Sequence, residues 1–311
     1  MTEAPLPYVE GSGEGRLSFE DIDQQYRLKI RAFIRLCMPP VFSSLEHQFD
    51  LKSLRAEGTV PIMFFLQFET LPQPLAFFAR TRTEHRVYLR RSVVPGPHGA
   101  AVGQIERLLL DMNINVSSQG SDGDPTSLGA AVRSDGLVPA GRMRGVHVIT
   151  RPVAPPGERQ VTAVPEQLRG LQEHPWDEPY PSVELLSELP PGYHERETGP
   201  WQELRSVWAL HNTDINQHVN VLEYITSLEN HFSRMLFGAN LPVARHRIER
   251  MSILFRKPFF LGEPHALRAR LYTDDHRTLL LGGVHRLEPE GGLDPRPSVF
   301  ARIEGQVSPA D

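Results

Sequence analysis

Asp214, Asn216, Gln217, His218 and Asn220 crowd one short stretch, DINQHVN, and an apolar stripe at helical spacing follows directly: Val221, Ile225, Leu228, Phe232 and Met235. Capping accounts for one or two of these polar residues, because Asp and Asn accept from the free N–H groups of a first turn and a carboxylate meets the positive helix end. It does not account for all of them. The same geometry serves chemistry, since backbone amides at a helix N-terminus can hold a developing oxyanion. An imidazole two residues from a carboxamide can orient or deprotonate water.

The elements that position this stretch can be read on either side of it. Gln202 to Leu210 reads as a strand leading in, and the apolar stripe reads as a buried helix leading out. Met251, Ile253 and Phe255 then alternate with polar neighbours. Leu267, Ala269 and Leu271 do the same, as do Val299, Ala301, Ile303 and Val307, and Thr278 to Val284 adds a further strand. The first half repeats this order. A short strand at Arg16 to Phe19 precedes a helix carrying Ile22, Tyr26, Ile30, Phe33 and Cys37 on one face, which Met38-Pro39-Pro40 should end or kink. Strands are expected at Val60 to Phe68, Leu75 to Arg82, Glu84 to Val93, Leu108 to Val116, with Asp111 on the polar face, and Arg142 to Ile149. Gly120 to Gly141 reads as a loop, and Pro152 to Pro200 as a proline-rich linker with one helical turn near Pro165 to Leu171.

Bulk properties exclude several classes. The chain has 311 residues, enough for two domains, and a formal net charge of -5, which argues against wholesale nucleic-acid binding. Two arginine clusters, Arg80, Arg82, Arg86, Arg90 and Arg91, and Arg245, Arg247 and Arg250, either meet an acidic partner or lie as solvated strand faces. No apolar run approaches a membrane span, and the N-terminus lacks the pattern of a signal peptide. Cys37, the sole cysteine, excludes an internal disulfide, and a cytoplasmic location is expected. There is no Gly-x-Ser-x-Gly elbow, GSGEG at Gly11 to Gly15 lacks the lysine of a phosphate loop, and His211, His218, His231 and His246 are not at zinc spacing.

Asp-x-Asn-Gln-His-Val-Asn-x-x-x-Tyr, standing here as Asp214, Asn216, Gln217, His218, Val219, Asn220 and Tyr224, resembles the motif of the acyl-acyl carrier protein thioesterases. VPEQLRG, Val164 to Gly170, is similar to that family's Ile-Pro-Glu-x-Val-Arg-Gly segment. The resemblance covers the second half and the linker; in the first half only the order of elements agrees. It implies an α+β fold of two tandem hotdog domains, each a long central helix wrapped by a curved antiparallel sheet. Their bounds would be 1–151 and 201–311, with the linker at 152–200. It implies hydrolysis of a fatty acyl thioester carried by acyl carrier protein or coenzyme A, with no metal and no cofactor. Asp214, Asn216 and His218 fall at the family's catalytic positions: Asn216 to hold the thioester or the water, His218 as base or polariser, Asp214 to orient it or serve as the base. Asn220, Tyr224 and Arg256 are the substrate-binding candidates.

The sequence also departs from the family. Where the family carries Tyr-Arg-Arg-Glu, this chain reads Phe255-Arg256-Lys257-Pro258, so the glutamate is a proline, and Gly262-Glu263 follows as in the wider class of hotdog acyl-CoA thioesterases. Glu229, on the helix, is the candidate to take its part, against the reading of a surface glutamate. Val221 and Ser227 replace the family's second Asn and its helix Trp. The first half, entering its helix as Asp21-Ile22-Asp23-Gln24-Gln25-Tyr26, lacks the histidine and asparagine and is expected to complete a pocket. Ile62 to Phe68, Phe77 and Phe78 would line an acyl channel or form core. Two rival readings stand: an acyl-binding hotdog without catalysis, and another hotdog reaction such as dehydration. Two hotdogs per chain make a monomer with an internal pseudo-dimer sufficient, with a homodimer the other possibility.

Overall fold

Glycine spacing in the first strand explains where the first helix lies. The computed structural model describes residues 4–94, 105–121, 132–214, 217–274 and 276–307. Contacts divide the chain into two units, Met1–Leu66 with Leu71–Tyr180, and Gln67–Thr70 with Pro181–Asp311. In the first unit, β1 (Val9–Arg16) is followed by α1 (Ile30–Gln48). A Cβ at position 13 would stand 2.3 Å from Pro40 Cγ, so glycine there is what lets α1 close onto the strand. Of the two outcomes expected at Pro39 and Pro40, an end or a kink, the helix does not end there: α1 continues to Gln48. Two prolines cost about 3 kcal/mol each in a helix interior. Burial of Ile30, Phe33, Ile34, Leu36, Met38, Val41 and Leu45, at roughly 1.5–3 kcal/mol each, outweighs that.

The helix also begins later than its apolar spacing predicts. Ile22 and Leu28 form an isolated antiparallel bridge and Tyr26 sits at φ 61, a left-handed residue that no helix admits. The strand expected at Arg16 to Phe19 ends at Arg16, and Phe19–Asp21 is a 3-10 turn.

After α2 (Leu51–Ala56), capped by Asp50, come β2 (Val60–Thr70), β3 (Arg80–Val94), β4 (Ile105–Ser121), β5 (Val132–Thr150) and β6 (Glu173–Pro175). Within the unit the sheet runs β1-β3-β4-β5-β2, with β6 parallel to β3. The strands expected at Leu75 to Arg82 and Glu84 to Val93 are one strand that begins only at Arg80: Thr83, between the two, is buried and pairs with Gly13 on one side and Val116 on the other. Of the loop expected at Gly120 to Gly141, residues from Val132 onward belong to β5, and 122–131 lie outside the described residues.

Asp111, expected on a solvated face, is 0% exposed. Arg90 Nε donates to it at 2.9 Å and Arg144 Nε at 2.8 Å, while Arg144 also pairs with Glu178 and lies under the Trp176 ring. The segment Glu173 to Glu178 covers this carboxylate, and the two guanidiniums compensate its burial.

The second unit holds α3 (Val183–Leu186), β7 (His194–Arg196), β8 (Glu203–Val207), α4 (Val221–Gly238), β9 (His246–Phe255), β10 (Pro264–Thr273), β11 (Arg277–Arg286) and β12 (Val299–Val307). Its sheet runs β9-β12-β11-β10-β7, and β8 also pairs with β10. The end of β2 belongs here, with Thr70 Oγ1 donating to the Ile248 carbonyl at 2.8 Å. As the stripe predicts, α4 buries Ile225, Leu228, Phe232 and Met235. Each unit is thus α+β, one long apolar helix with strands that are antiparallel apart from β6. Of the proline-rich stretch, 152–180 groups with the first unit and 181–200 with the second.

Candidate active site

The loop ahead of α4 is held by its own backbone. Past β8, the Trp208 N–H donates to the Glu263 carbonyl at 3.2 Å and the Gly262 N–H to the Trp208 carbonyl at 2.9 Å, tying this segment to the turn before β10. Leu210–Asn212 make a 3-10 turn. The Asp214 N–H then donates to the His218 carbonyl at 2.9 Å, and the Gln217 N–H to the Asp214 carbonyl at 2.9 Å. Gln217 takes φ 63 to close the turn. Asn220 N–H donates to the Asn212 carbonyl at 2.8 Å, and Val219 N–H to the Phe259 carbonyl at 2.9 Å. This network brings Asp214, His218 and Asn220 together at the start of α4.

Each candidate has a definite place. His218 is half-buried, with its ring 4.9 Å from Phe260 in an edge contact. Asp214 is exposed. Asn216 lies outside the described residues. Asn220 is the N-cap of α4: its side chain accepts from Leu222 N–H at 2.9 Å and its carbonyl from Glu223 N–H at 3.0 Å. Those two amides are therefore used inside the helix, and what α4 offers a developing negative charge is its positive end. Tyr224 is buried, and its hydroxyl accepts from Phe259 N–H at 3.1 Å. Burial pushes its phenol up to about 12, so it stays neutral.

Glu229 stands apart from this group. Glu229 is half-buried on the flank of the α4 stripe, about 13 Å along the axis from Asn220 at 1.5 Å per residue. Arg256 follows β9, exposed, and its Nη1 donates to the Pro297 carbonyl at 2.8 Å. At the family's glutamate position, the Pro258 carbonyl accepts from Arg286.

Sequence reasoning missed the wall behind the loop. Trp208 is buried, 5.4 Å from Tyr224 in an edge contact, and stacks on His265 at 4.1 Å with 13° between the rings. Burial holds His265 down at about 4, so the ring is neutral near pH 7. Arg286 lies over Phe259 at 4.6 Å and pairs with Glu263, whose other oxygen accepts from Phe260 N–H at 2.9 Å. The Gly262-Glu263 pair was the one legible signal of this turn; Arg286, a strand away, gave none. Among the described residues no group of three or more His, Cys, Asp or Glu could hold a metal ion. The arrangement sets one half-buried imidazole, edge-on to Phe260, at the entrance to α4.

The chain is similar along its length to solved structures. One is an acyl-ACP thioesterase from Bacteroides thetaiotaomicron VPI-5482, with TM-score 0.57 and 13% identity over 95% of this chain and 97% of that one. Another is the 12:0-ACP thioesterase from Umbellularia californica, with TM-score 0.58 and 11% identity over 96% of this chain and 95% of that one. At such identities the likeness carries the fold. No family model matches the chain, and no curated protein matches it.

Proposed function

We propose that this chain is a double-hotdog protein that hydrolyses fatty acyl thioesters, with acyl carrier protein or coenzyme A as the leaving thiol. In this reading the hotdogs span 1–151 and 201–311, the proline-rich stretch 152–200 joins them, and the second holds the site. The observation that carries it is the tight polar loop, Asp214 to Asn220, at the start of the buried helix α4 in a fold shared with acyl-ACP thioesterases. A thioester carbonyl is readily attacked, so a positioned water, a base and a stabilised oxyanion suffice without a metal. His218 takes the proton from water, Asn216 holds the thioester or the water, and Asp214 orients the imidazole or accepts the proton. Glu229 is the remaining acidic candidate, and Arg256, Asn220 and Tyr224 contribute to binding or to the frame around it. One observation favours a second reading, acyl binding without turnover: proline stands where the family has its glutamate. The test is thiol release from a panel of acyl-carrier-protein and acyl-coenzyme A thioesters of varied chain length. Release by the wild type that is lost in His218→Ala supports the hydrolase; acyl binding with no release supports the second reading.

A further inference from the structure

We infer that the turns ahead of α1 and β3 in the first unit dock onto an anionic lipid surface through Phe19, Phe77, Phe78, Arg16 and Arg80, independently of the hydrolase reading. The two turns adjoin. Leu17 N–H donates to the Ala79 carbonyl at 3.0 Å, and the Phe19 ring stacks on Phe77 at 5.3 Å, which Tyr26 also contacts at 5.3 Å. Phe19 and Phe78 are each 67% exposed. Phe78, for which the core was one expectation, faces solvent instead.

The second unit repeats this backbone with other side chains, which isolates what the first unit adds. Phe19–Asp21 and Leu210–Asn212 are both 3-10 turns. Asp23 N–H donates to the Arg27 carbonyl at 2.9 Å and Tyr26 takes φ 61, as Asp214 N–H donates to the His218 carbonyl at 2.9 Å and Gln217 takes φ 63. The bond from Leu17 to Ala79 matches that from Trp208 N–H to the Glu263 carbonyl at 3.2 Å. In this register Phe78 stands where the second unit has Gly262, both left-handed, at φ 53 and 80. Glycine adopts that conformation freely, whereas a bulky side chain there is a strained outlier. The strand pair differs in the same way. Arg16 faces Arg80 across β1 and β3, where Val207 faces Pro264 across β8 and β10, and like charges directly opposite destabilise a strand pair. Two features that work against stability therefore meet on one exposed surface.

The charge of that surface selects its partner. Arg16 and Arg80 are exposed, with no ion-pair partner among the described residues. The nearby carboxylates are engaged: Glu20 pairs with Arg31 at 3.4 Å, Asp21 pairs with Arg35, and Asp23 Oδ1 accepts from Gln25 N–H at 2.8 Å and Arg27 N–H at 3.0 Å. Glu14 stands opposite Arg82 in the register. What remains is an aromatic surface with a positive surplus, on a chain whose formal net charge is -5. A peptide segment docks into a groove, whereas phenylalanines held out on adjoining turns beside arginines are the composition that enters the headgroup boundary of an anionic bilayer.

The test is co-sedimentation of the full chain with vesicles of phosphatidylcholine alone and of phosphatidylcholine containing about one third phosphatidylglycerol, over a range of salt. Binding to the anionic vesicles is expected to exceed binding to the neutral ones by about tenfold or more, and to fall as salt screens the arginines. Phe19→Ser combined with Phe78→Gly, and separately Arg16→Gln combined with Arg80→Gln, each weaken it on the order of tenfold. Phe78→Gly alone leaves the melting temperature at or above that of the wild type, because glycine relieves the left-handed position, so its weaker binding is not a loss of fold. A wild type that binds both vesicles equally or neither, or variants that bind as the wild type does, overturn the inference. Binding to polyglutamate without binding to vesicles assigns the surface to an acidic protein and overturns it. So does a wild-type dimer that Phe78→Gly converts to a monomer in analytical ultracentrifugation, which assigns the surface to a second copy of the chain.

Discussion

Tyr224 shows how one residue's role changes between pattern and packing. The resemblance makes it a substrate-binding candidate, yet its hydroxyl is the acceptor for the buried Phe259 N–H and its ring is packed edge-on against Trp208. Removing the acceptor leaves that N–H unsatisfied, a cost of about 1–3 kcal/mol. Tyr224→Phe is therefore expected to lower stability by that amount in urea unfolding while KM for acyl thioesters stays within about twofold. A large KM change at unaltered stability would return Tyr224 to the substrate. Asn220 shows the same shift, because its side chain is spent on the cap of α4. The polar composition of the loop was legible; the division between residues that build the loop and residues exposed to a substrate was not. That division depends on which backbone amides need acceptors, which composition does not encode.

At the scale of elements, the second half was readable because its helix and strands obey the two simple periods. The α4 stripe and the alternation in β10 and β12 correspond to buried positions, except at their ends, where Val221 and Val307 are half-buried. The first half misled where tertiary contacts override local pattern. Ile22 and Tyr26 fit a helical stripe, but Tyr26 is left-handed and the helix waits until Ile30, so the loop that repeats the one before α4 was read as helix. Asp111 alternated correctly with apolar neighbours and is nonetheless buried, because a segment more than sixty residues later in sequence supplies the cover. Removing one member of such a compensated pair costs about 3–5 kcal/mol, since it leaves buried charge unpaired. Asp111→Ala is expected to destabilise the first unit by that amount and to expose Trp176, read as a red-shifted tryptophan emission. Stability within about 0.5 kcal/mol of wild type, the range of an ordinary surface change, would contradict the role assigned to this network.

Over the whole molecule, charge is balanced locally. Arg82, Arg86, Arg90 and Arg91 meet Glu84, Glu10, Asp111 and Glu173, and Arg247 and Arg250 meet Glu249 and Glu69, so the arginine clusters read from sequence are largely accompanied by carboxylates. Among the described residues no helix is long and apolar enough to cross a membrane. Histidine burial sets the response to acid. His147, His231 and His265 are each held down at about 4 by burial, so between the ordinary histidine range and pH 4 the unfolded chain binds protons that the folded protein refuses. Stability is full above about pH 6.5 and falls as pH drops through that window, by up to roughly 1.4 kcal/mol per pH unit for each ring. Melting temperature followed from pH 7 to pH 4 should decline, and the decline should shrink in His147→Phe, whose ring cannot take a proton. A flat profile would contradict the buried neutral state of these rings.

The measurement closest to the central claim is free-thiol release by the purified protein from acyl-carrier-protein and acyl-coenzyme A thioesters of graded length, with Asn216→Ala and His218→Ala alongside. The account predicts release by the wild type and a loss on the order of 100-fold or more in both variants, the range expected for removing a general base or an oxyanion donor. Variants that are folded and turn over as fast as the wild type would contradict the site, and a wild type that binds acyl thioesters without releasing thiol would contradict the hydrolase.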